Sequence, residues 1–231
     1  MKYRLLSYPI ENKTPLYGST PAPVIAPYRQ ISKGDTSNSY TITIHNHTGT
    51  HVDAPKHFVP DGRSISEYSL EELTFYNPAI LECTKNPGEW IELEEIQQAA
   101  QKLYRVDCLL LHTGFGRFRD QEIYRTHNPG IAPEVIFWIR KEFPDIRCIG
   151  IDSISISSFQ HKERGIEAHT AAFIKQKDLG EPLFVIEDMN LNTLSGDDKL
   201  KKVIVIPWQI LGIDSAPCTV LVEVISNDGK I

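Results

Sequence analysis

The chain has 231 residues, of which 41% are hydrophobic and 23% are charged, and its formal net charge at pH 7 is −6. These values are typical of a globular protein with one sizeable core, so we expect a single domain over residues 1–231. The negative charge and the lack of a basic run argue against nucleic acid or an anionic membrane as partners. No segment has signal-peptide character, and no stretch approaches the roughly 18 apolar residues of a spanning helix. We therefore expect a cytoplasmic protein.

The cysteines are widely spaced, and none has the C-x-x-C pattern of a redox or zinc motif. They are Cys83, Cys108, Cys148 and Cys218. Because no export signal is present, we expect reduced, buried thiols.

In the first part of the chain, a loop is followed by a strand. Residues 14–28 are rich in proline and lack helical periodicity, which predicts an extended loop. Residues 39–44 alternate β-branched side chains with a period of two, which predicts a strand. That strand leads directly into the most informative stretch of the sequence, residues 45–62.

This stretch holds four of the eight histidines in the chain, together with an aspartate: His45, His47, His51, Asp53 and His57. Imidazole and carboxylate are ligands of Zn²⁺, Mn²⁺ and similar cations. Gly49 breaks the strand, and the separations between ligands are all even, so a bend there would let His47, His51 and Asp53 converge on one ion. The alternative is a strand-to-loop junction with solvated histidines and a capping Asp53. The density of ligand types favours the metal site, and we expect His45 to be exposed or to support the ligands from outside.

The rest of the chain alternates predicted strands with predicted helices. The strands are residues 79–83, 106–112, 146–151, 182–188, 203–207 and 219–225. The helices are a short one within residues 64–76 and two longer ones at residues 93–104 and 132–143. In the first helix, Ser69 and Glu72 have capping-box spacing. This alternation predicts a mixed α/β domain.

Polar residues follow several of these later elements. Asp152 comes after a buried strand, where it would support a ligating histidine or bond its own backbone in a turn. His169 falls on a short helical stretch after Gly165, whereas His161 is expected in a solvated loop. Glu187 and Asp188 end another strand, and we expect Asp188 to face solvent or to cap.

The sequence H-T-G-T-H-V-D-A-P-K-H at residues 47–57 resembles the H-x-G-T-H-x-D-x-P-x-H signature of the cyclase family of metal-dependent hydrolases. That family includes bacterial kynurenine formamidase and isatin hydrolase. Similar family elements recur at residues 110–115, 150–153, 168–169 and 185–191. The resemblance implies a swivelling β/β/α cyclase-like fold and assembly into homodimers or homotetramers.

The resemblance also implies roles for particular residues. It assigns His47, His51 and Asp53 to one ion, and Asp53, His169 and Glu187 to a second, with Glu187 reaching both. Five ligands that include two carboxylates suit two ions. Zinc is the preferred candidate and manganese the second, and the alternative is a single Zn²⁺ or Mn²⁺.

Two further residues receive roles from the same resemblance. His57 matches the acid/base histidine, and the alternative for it is a fifth ligand or a spacer beside the ligands. Tyr17 falls at the aromatic position of a pocket-lining segment, where it would contact substrate; the alternative is an ordinary loop aromatic packed on the core.

Together these features predict a metal-dependent hydrolase of small-molecule C–N amide bonds, with an aryl formamide such as N-formylkynurenine or a cyclic amide as substrate. A cupin-like oxygenase is the first alternative, but its glutamate four or five residues after His-x-His is missing here. A metal-binding protein without catalytic activity is the second, and it would not need His57 or an open pocket.

Overall fold

The computed structural model describes residues 2–195 and 198–225. The strands in these ranges are β1 (Lys2–Leu5), β2 (Val24–Arg29), β3 (Ser39–Thr43), β4 (His51–Asp53), β5 (Thr74–Phe75), β6 (Pro78–Glu82), β7 (Trp90–Ile91), β8 (Cys108–His112), β9 (Gly130–Ile131), β10 (Cys148–Ile151), β11 (Phe184–Glu187), β12 (Lys199–Pro207) and β13 (Ser215–Ile225). The α-helices are α1 (Leu93–Gln98), α2 (Glu122–Thr126), α3 (Pro133–Glu142) and α4 (Lys162–Phe173). The mixture confirms the predicted α/β class.

Nine of these strands form one mixed sheet. Its order is β5-β12-β13-β4-β11-β10-β8-β6, and β1 also pairs with β13. The strands β6, β8, β10 and β11 run parallel to one another. The short strand β4 is antiparallel to both of its neighbours, β11 and β13. Consequently, the histidine motif enters the sheet where its parallel half meets its antiparallel half.

The two faces of this sheet belong to two hydrophobic cores. In β8, Leu109 and Leu111 pack with the apolar faces of α1, α3 and α4. The alternate residues, Cys108 and Leu110, pack in the core that includes the inward side chains of β12 and β13. This division follows from the alternation of side chains along a strand. All four cysteines are buried free thiols, as predicted.

The short helix predicted within residues 64–76 is reduced to a single 3₁₀ turn, Ile65–Glu67. In this turn Glu67 accepts the Ser64 backbone N–H at 2.7 Å. Ser69 and Glu72 do exchange the hydrogen bonds of a capping box, but only a turn follows them. At the end of the segment, Thr74 and Phe75 pair with β12, and this pairing extends the backbone there.

Three other boundaries differ from the sequence prediction. Residues 14–28 are not all loop, since β2 begins at Val24 and pairs with β3 in a separate hairpin. The helix expected at residues 93–104 ends at Gln98 and continues as the 3₁₀ turn Ala100–Leu103. Helix α4 begins at Lys162, before Gly165, and is longer than predicted. No helix in residues 2–195 or 198–225 is long and apolar enough to cross a membrane.

Candidate metal centre

The bend predicted at Gly49 is present and brings the histidine motif into the sheet. Gly49 has φ +67°, a conformation that side chains with a Cβ rarely adopt. His51 and Asp53 then lie on the same face of β4 and are both buried. The Nδ1 of His51 donates to the Gly49 carbonyl oxygen at 2.8 Å. Since a carbonyl can only accept, Nδ1 carries the proton and Nε2 keeps its lone pair for a ligand role.

The register of β11 against β4 brings a second carboxylate to the same place. Glu187 stands opposite His51 in this antiparallel pair, and its Oε2 lies 3.4 Å from His51 Nε2. Its other oxygen, Oε1, accepts hydrogen bonds from Ser155 Oγ at 2.9 Å and from the Ile156 N–H at 2.7 Å. These bonds fix the carboxylate of Glu187 with one oxygen facing His51.

His169 reaches the cluster from helix α4. Its Nε2 lies 3.2 Å from Glu187 Oε1 and 3.9 Å from Asp53 Oδ2. Its Nδ1 lies 2.9 Å from Ser157 Oγ and 3.2 Å from the Gly165 carbonyl oxygen. Contacts on Nδ1 orient the ring and leave Nε2 facing the carboxylates.

His47 completes the set from the loop before Gly49. Its Nδ1 lies 3.1 Å from Asp53 Oδ1, and its Nε2 lies 3.1 Å from Asp214 Oδ2. The structure thus brings together all five residues that the sequence analysis named as candidate ligands: His47, His51, Asp53, His169 and Glu187. Asp53 is central, because it lies within 4 Å of all three histidines.

Three buried atoms in this cluster have no hydrogen bond of normal geometry from the described residues. They are His51 Nε2 and both carboxylate oxygens of Asp53. A buried carboxylate without such bonds is costly unless a cation compensates it. Potential ligand atoms of His51, Asp53 and Glu187 all lie within 4.8 Å of one another, as do those of His47, Asp53 and His57. The donor set, two carboxylates among imidazoles, therefore fits divalent ions.

The charges in the cluster stabilise one another strongly. Burial opposes protonation of His47, but Asp53 and Asp214 outweigh it and raise the pKa of His47 to about 10. Burial would raise the pKa of Glu187, yet the neighbouring imidazoles of His169 and His51 lower it to about 2. The site therefore holds its carboxylates ionised, as cation binding requires.

His57 lies beside the cluster and makes a hydrogen bond that the sequence analysis missed. Its Nδ1 donates to Asp214 Oδ2 at 2.7 Å, because a carboxylate can only accept. Asn46 Nδ2 donates to the other oxygen of Asp214 at 2.8 Å. Asp214 directly precedes β13, whose Ser215 stands opposite Asp53. The ring of His57 lies 4.3 Å, centroid to centroid, from that of His47.

A cavity of about 410 Å³ opens onto these residues. Its walls include His57 and four of the candidate ligands, together with apolar groups from Tyr17, Phe58, Ile154 and Ile166. Tyr17 is half-buried and lines the cavity. It also packs on neighbouring aromatic side chains, and the centroids of its ring and the Phe159 ring lie 5.7 Å apart in an edge-on arrangement. Burial, with a contribution from Glu187, raises the pKa of Tyr17 to about 12. Its hydroxyl therefore stays protonated.

The expectation that Asp188 faces solvent or caps is wrong. Asp188 is 2% exposed and has φ +51°, which turns its side chain inward just after Glu187. Arg119 binds both carboxylate oxygens, through Nε at 2.9 Å and through NH2 at 2.7 Å. The Tyr124 hydroxyl donates to the same carboxylate at 2.6 Å. This network fixes the end of β11, next to Glu187.

The remaining polar candidates also have defined places. Asp152 is buried, and its Oδ1 accepts the Thr113 N–H at 2.7 Å and the Thr113 hydroxyl at 2.6 Å. It therefore anchors the loop after β8, a role different from both alternatives considered. His45 and His161 are exposed, as expected.

Sequence comparison places the chain among known proteins. Residues 5–158 match the family described as "Putative cyclase". A kynurenine formamidase from Geobacillus thermodenitrificans is 28% identical over 159 residues, which is 68% of this chain and 71% of that protein. An uncharacterized protein from Haemophilus influenzae is 34% identical over 116 residues, covering 49% of this chain and 82% of the relative.

Solved structures share the fold over nearly the whole chain. Isatin hydrolase A from Labrenzia aggregata superposes with a TM-score of 0.79 at 22% identity, covering 96% of this chain and 93% of that one. A predicted metal-dependent hydrolase from Bacillus stearothermophilus gives a TM-score of 0.72 at 22% identity, covering 96% and 97%. These matches confirm the cyclase-like fold.

A cyclase-like sheet with clustered imidazoles and carboxylates beside a cavity, together with relatives named kynurenine formamidase, defines the class: the protein is an enzyme. More specifically, the chain belongs to the cyclase family.

Proposed function

We propose that this enzyme hydrolyses a C–N amide bond in a small molecule, either an aryl formamide such as N-formylkynurenine or a cyclic amide such as isatin. The observation that carries the proposal is the buried Asp53 carboxylate. It lies among three histidines that line the cavity, and it has no hydrogen bond of normal geometry from the described residues. Relatives named kynurenine formamidase support the formamide, and a structural neighbour named isatin hydrolase supports the cyclic amide.

Two divalent ions per chain, zinc first and manganese as the alternative, would be held by His47, His51, Asp53, His169 and Glu187. When bound, such ions polarise an amide carbonyl and lower the pKa of water towards neutrality. Asp53 lies within 4 Å of the three histidines and would be the central residue of this ligand set. We also propose that the chain forms homodimers or homotetramers.

The proton that the departing nitrogen needs comes from His57. Water adds to the carbonyl carbon, the C–N bond breaks, and the amine leaves with a proton, so a formamide gives amine and formate. The bond from Nδ1 of His57 to Asp214 leaves Nε2 as the nitrogen that gives and receives this proton. Asp214 positions the ring, because its carboxylate accepts the hydrogen bond from Nδ1.

The apolar walls of the cavity hold the organic part of the substrate. Phe58, Ile154 and Ile166 offer contact surface to a ring, and Tyr17 offers both an aromatic face and a protonated hydroxyl. These side chains set specificity, whereas the ligand cluster supplies the chemistry.

The test is a parallel assay of N-formylkynurenine, isatin and formanilide with protein loaded with Zn²⁺ or Mn²⁺. At least one substrate should reach a kcat/KM of about 10⁴ M⁻¹s⁻¹ or more, the lower part of the usual enzyme range. The matched control is Asp53→Asn, which keeps the side-chain shape but removes the central charge, and it should be inactive. If metal-loaded protein hydrolyses none of the three, the proposed function is wrong.

A further inference from the structure

We propose that Lys162 binds an anionic group of the substrate, so that the preferred substrate is an aryl amide carrying a carboxylate remote from the scissile bond. This inference rests on the proposed function and names the substrate class of the same site. It follows from the charges around the cavity, from the contacts of Lys162 and from its position on helix α4.

Among the described residues that line the cavity, Lys162 is the one with a permanently cationic side chain, since no other lysine or arginine is among them. The carboxylates in the cavity wall already have partners. Glu187 faces His51 and His169, and Asp188 is bound by Arg119. The rest of the wall is histidine, hydroxyl, or apolar surface. An ammonium group at the edge of an otherwise apolar wall is a suitable place for a carboxylate.

Lys162 has no carboxylate within 4.0 Å in the described parts of the chain. Its ammonium nitrogen lies 5.6 Å from the centre of the Phe159 ring, and its side chain is exposed. By contrast, Arg164, two residues further along, donates to both carboxylate oxygens of Glu92 at 3.0 and 2.9 Å. The charge of Arg164 is thus used within the protein, whereas that of Lys162 is available to a ligand.

The position of Lys162 on α4 sets its distance from the reaction. Lys162, Ile166 and His169 follow one another at helical spacing and all line the cavity. Seven residues of helix span about 10 Å along the axis, which leaves room for an aryl ring between Lys162 and the candidate ligand His169. Ile166, which is 55% exposed, lies between them and offers an apolar contact for that ring.

The helix itself adds favourable charge at this end. Lys162 is the first residue of α4, and the N-cap residue His161 makes no side-chain cap. The free N–H groups of a helix start and the macrodipole favour negative charge. The ammonium group and the helix start therefore favour the same kind of ligand.

The probes are 4-formamidophenylacetate and its neutral amide, 4-formamidophenylacetamide, which match in length and differ in charge. With metal-loaded wild type, the anion should have the higher kcat/KM. In Lys162→Gln, the ratio of the anion value to the neutral value should fall about tenfold, the low end for a charge-assisted contact. Lys162→Arg, and Lys141→Gln as a control of equal net charge on α3, should keep the ratio within about threefold. An unchanged ratio in Lys162→Gln would overturn the inference.

A binding measurement separates this inference from the proposed function. Calorimetry with the amine 4-aminophenylacetate and its amide reports anion recognition even if neither formamide is hydrolysed. The affinity of metal-loaded wild type for the anion should exceed that of Lys162→Gln about tenfold. Equal affinities would reject the role of Lys162. Lack of hydrolysis with a retained difference in affinity would instead reject only the amide-hydrolase proposal.

Discussion

At the scale of single residues, hydrogen-bond partners determine which ring nitrogen of each key histidine carries the proton. The Gly49 carbonyl fixes His51, and the Asp214 carboxylate fixes His57. In both rings Nδ1 carries the proton, which leaves Nε2 for the ligand or for proton transfer. The proposed division of labour between ligand and acid/base histidines can therefore be tested by single substitutions.

His57→Ala should lower kcat by about 10²–10⁴ and leave the metal content unchanged, because acid/base catalysis has this usual magnitude and His57 is proposed to lie outside the ligand set. Steady-state kinetics and elemental analysis on the same preparation check both parts. His127→Ala, at an exposed histidine that does not line the cavity, is the control. Loss of metal in His57→Ala would make His57 a ligand.

Asp214→Ala should lower kcat about 10- to 100-fold with little change in KM, the scale seen when a residue supporting a metal site or a catalytic histidine is removed. Asp214→Asn keeps an oxygen that can accept from His57 Nδ1, so part of the activity should return. The measurement is steady-state kinetics that determine kcat and KM separately for each variant. If KM alone rises, Asp214 serves substrate binding and not the orientation of His57.

At the scale of elements, the end of β11 is held by a buried ion pair beside the site. Arg119 follows the 3₁₀ turn Phe115–Phe118 and binds Asp188 immediately after Glu187. The Arg119 side chain is 10% exposed and the Asp188 side chain is 2% exposed. Removing one partner from such a pair leaves an uncompensated buried charge.

Arg119→Ala should therefore lower the free energy of unfolding by about 3–5 kcal/mol. The matched control is Arg63→Ala, which breaks the exposed pair with Glu72 and should cost about 1 kcal/mol or less. Urea denaturation of metal-loaded proteins measures both values. Equal losses in the two variants would show that the Arg119 pair adds nothing beyond an ordinary surface contact.

Helices and strands could be predicted from the sequence where the local hydrophobic pattern and the tertiary packing favour the same conformation. The buried strands β8, β10 and β11 and the helix α3 fall where periodicity predicts them. Residues 64–76 hold less helix than predicted. Thr74 and Phe75 pair with β12 instead, and that pairing is not visible in a local pattern. Asp188 was also predicted incorrectly, since a single residue of positive φ turns it inward to a partner 69 positions away.

The same contrast applies to the site. His47, His51 and Asp53 fall in one short motif, so ligand chemistry and spacing were enough to single them out. His169 and Glu187 were reached through resemblance to a family, because only the folded chain brings them near Asp53. Asp214 lies 157 positions from His57, and no spacing in the sequence connects the two.

At the scale of the whole molecule, the candidate ligands join separate parts of the chain. They come from the loop before Gly49, from β4, from α4 and from β11. Ions bound by these residues would stabilise the folded state over the unfolded state, because the unfolded chain does not preform the site. The effect grows with metal concentration relative to Kd.

Removing metal with a chelator should therefore lower Tm. At free metal about 1,000 times Kd, one site contributes about 4 kcal/mol, which corresponds to roughly 10 °C for a chain of this size. Differential scanning calorimetry with and without EDTA gives the shift. In Asp53→Ala the chelator should have little effect, and a wild-type Tm that ignores the chelator would argue against any tightly bound ion.

The central claim is that this protein is an amide hydrolase whose activity requires two metal ions in the Asp53 cluster. The most direct measurement is a titration of metal-free protein with Zn²⁺, and separately with Mn²⁺, while hydrolysis of the best amide from the substrate panel is followed. We expect no hydrolysis without metal and a rise in rate that ends near two equivalents per chain. A break at one equivalent would contradict the two-ion site, and full activity without metal would contradict the claim itself.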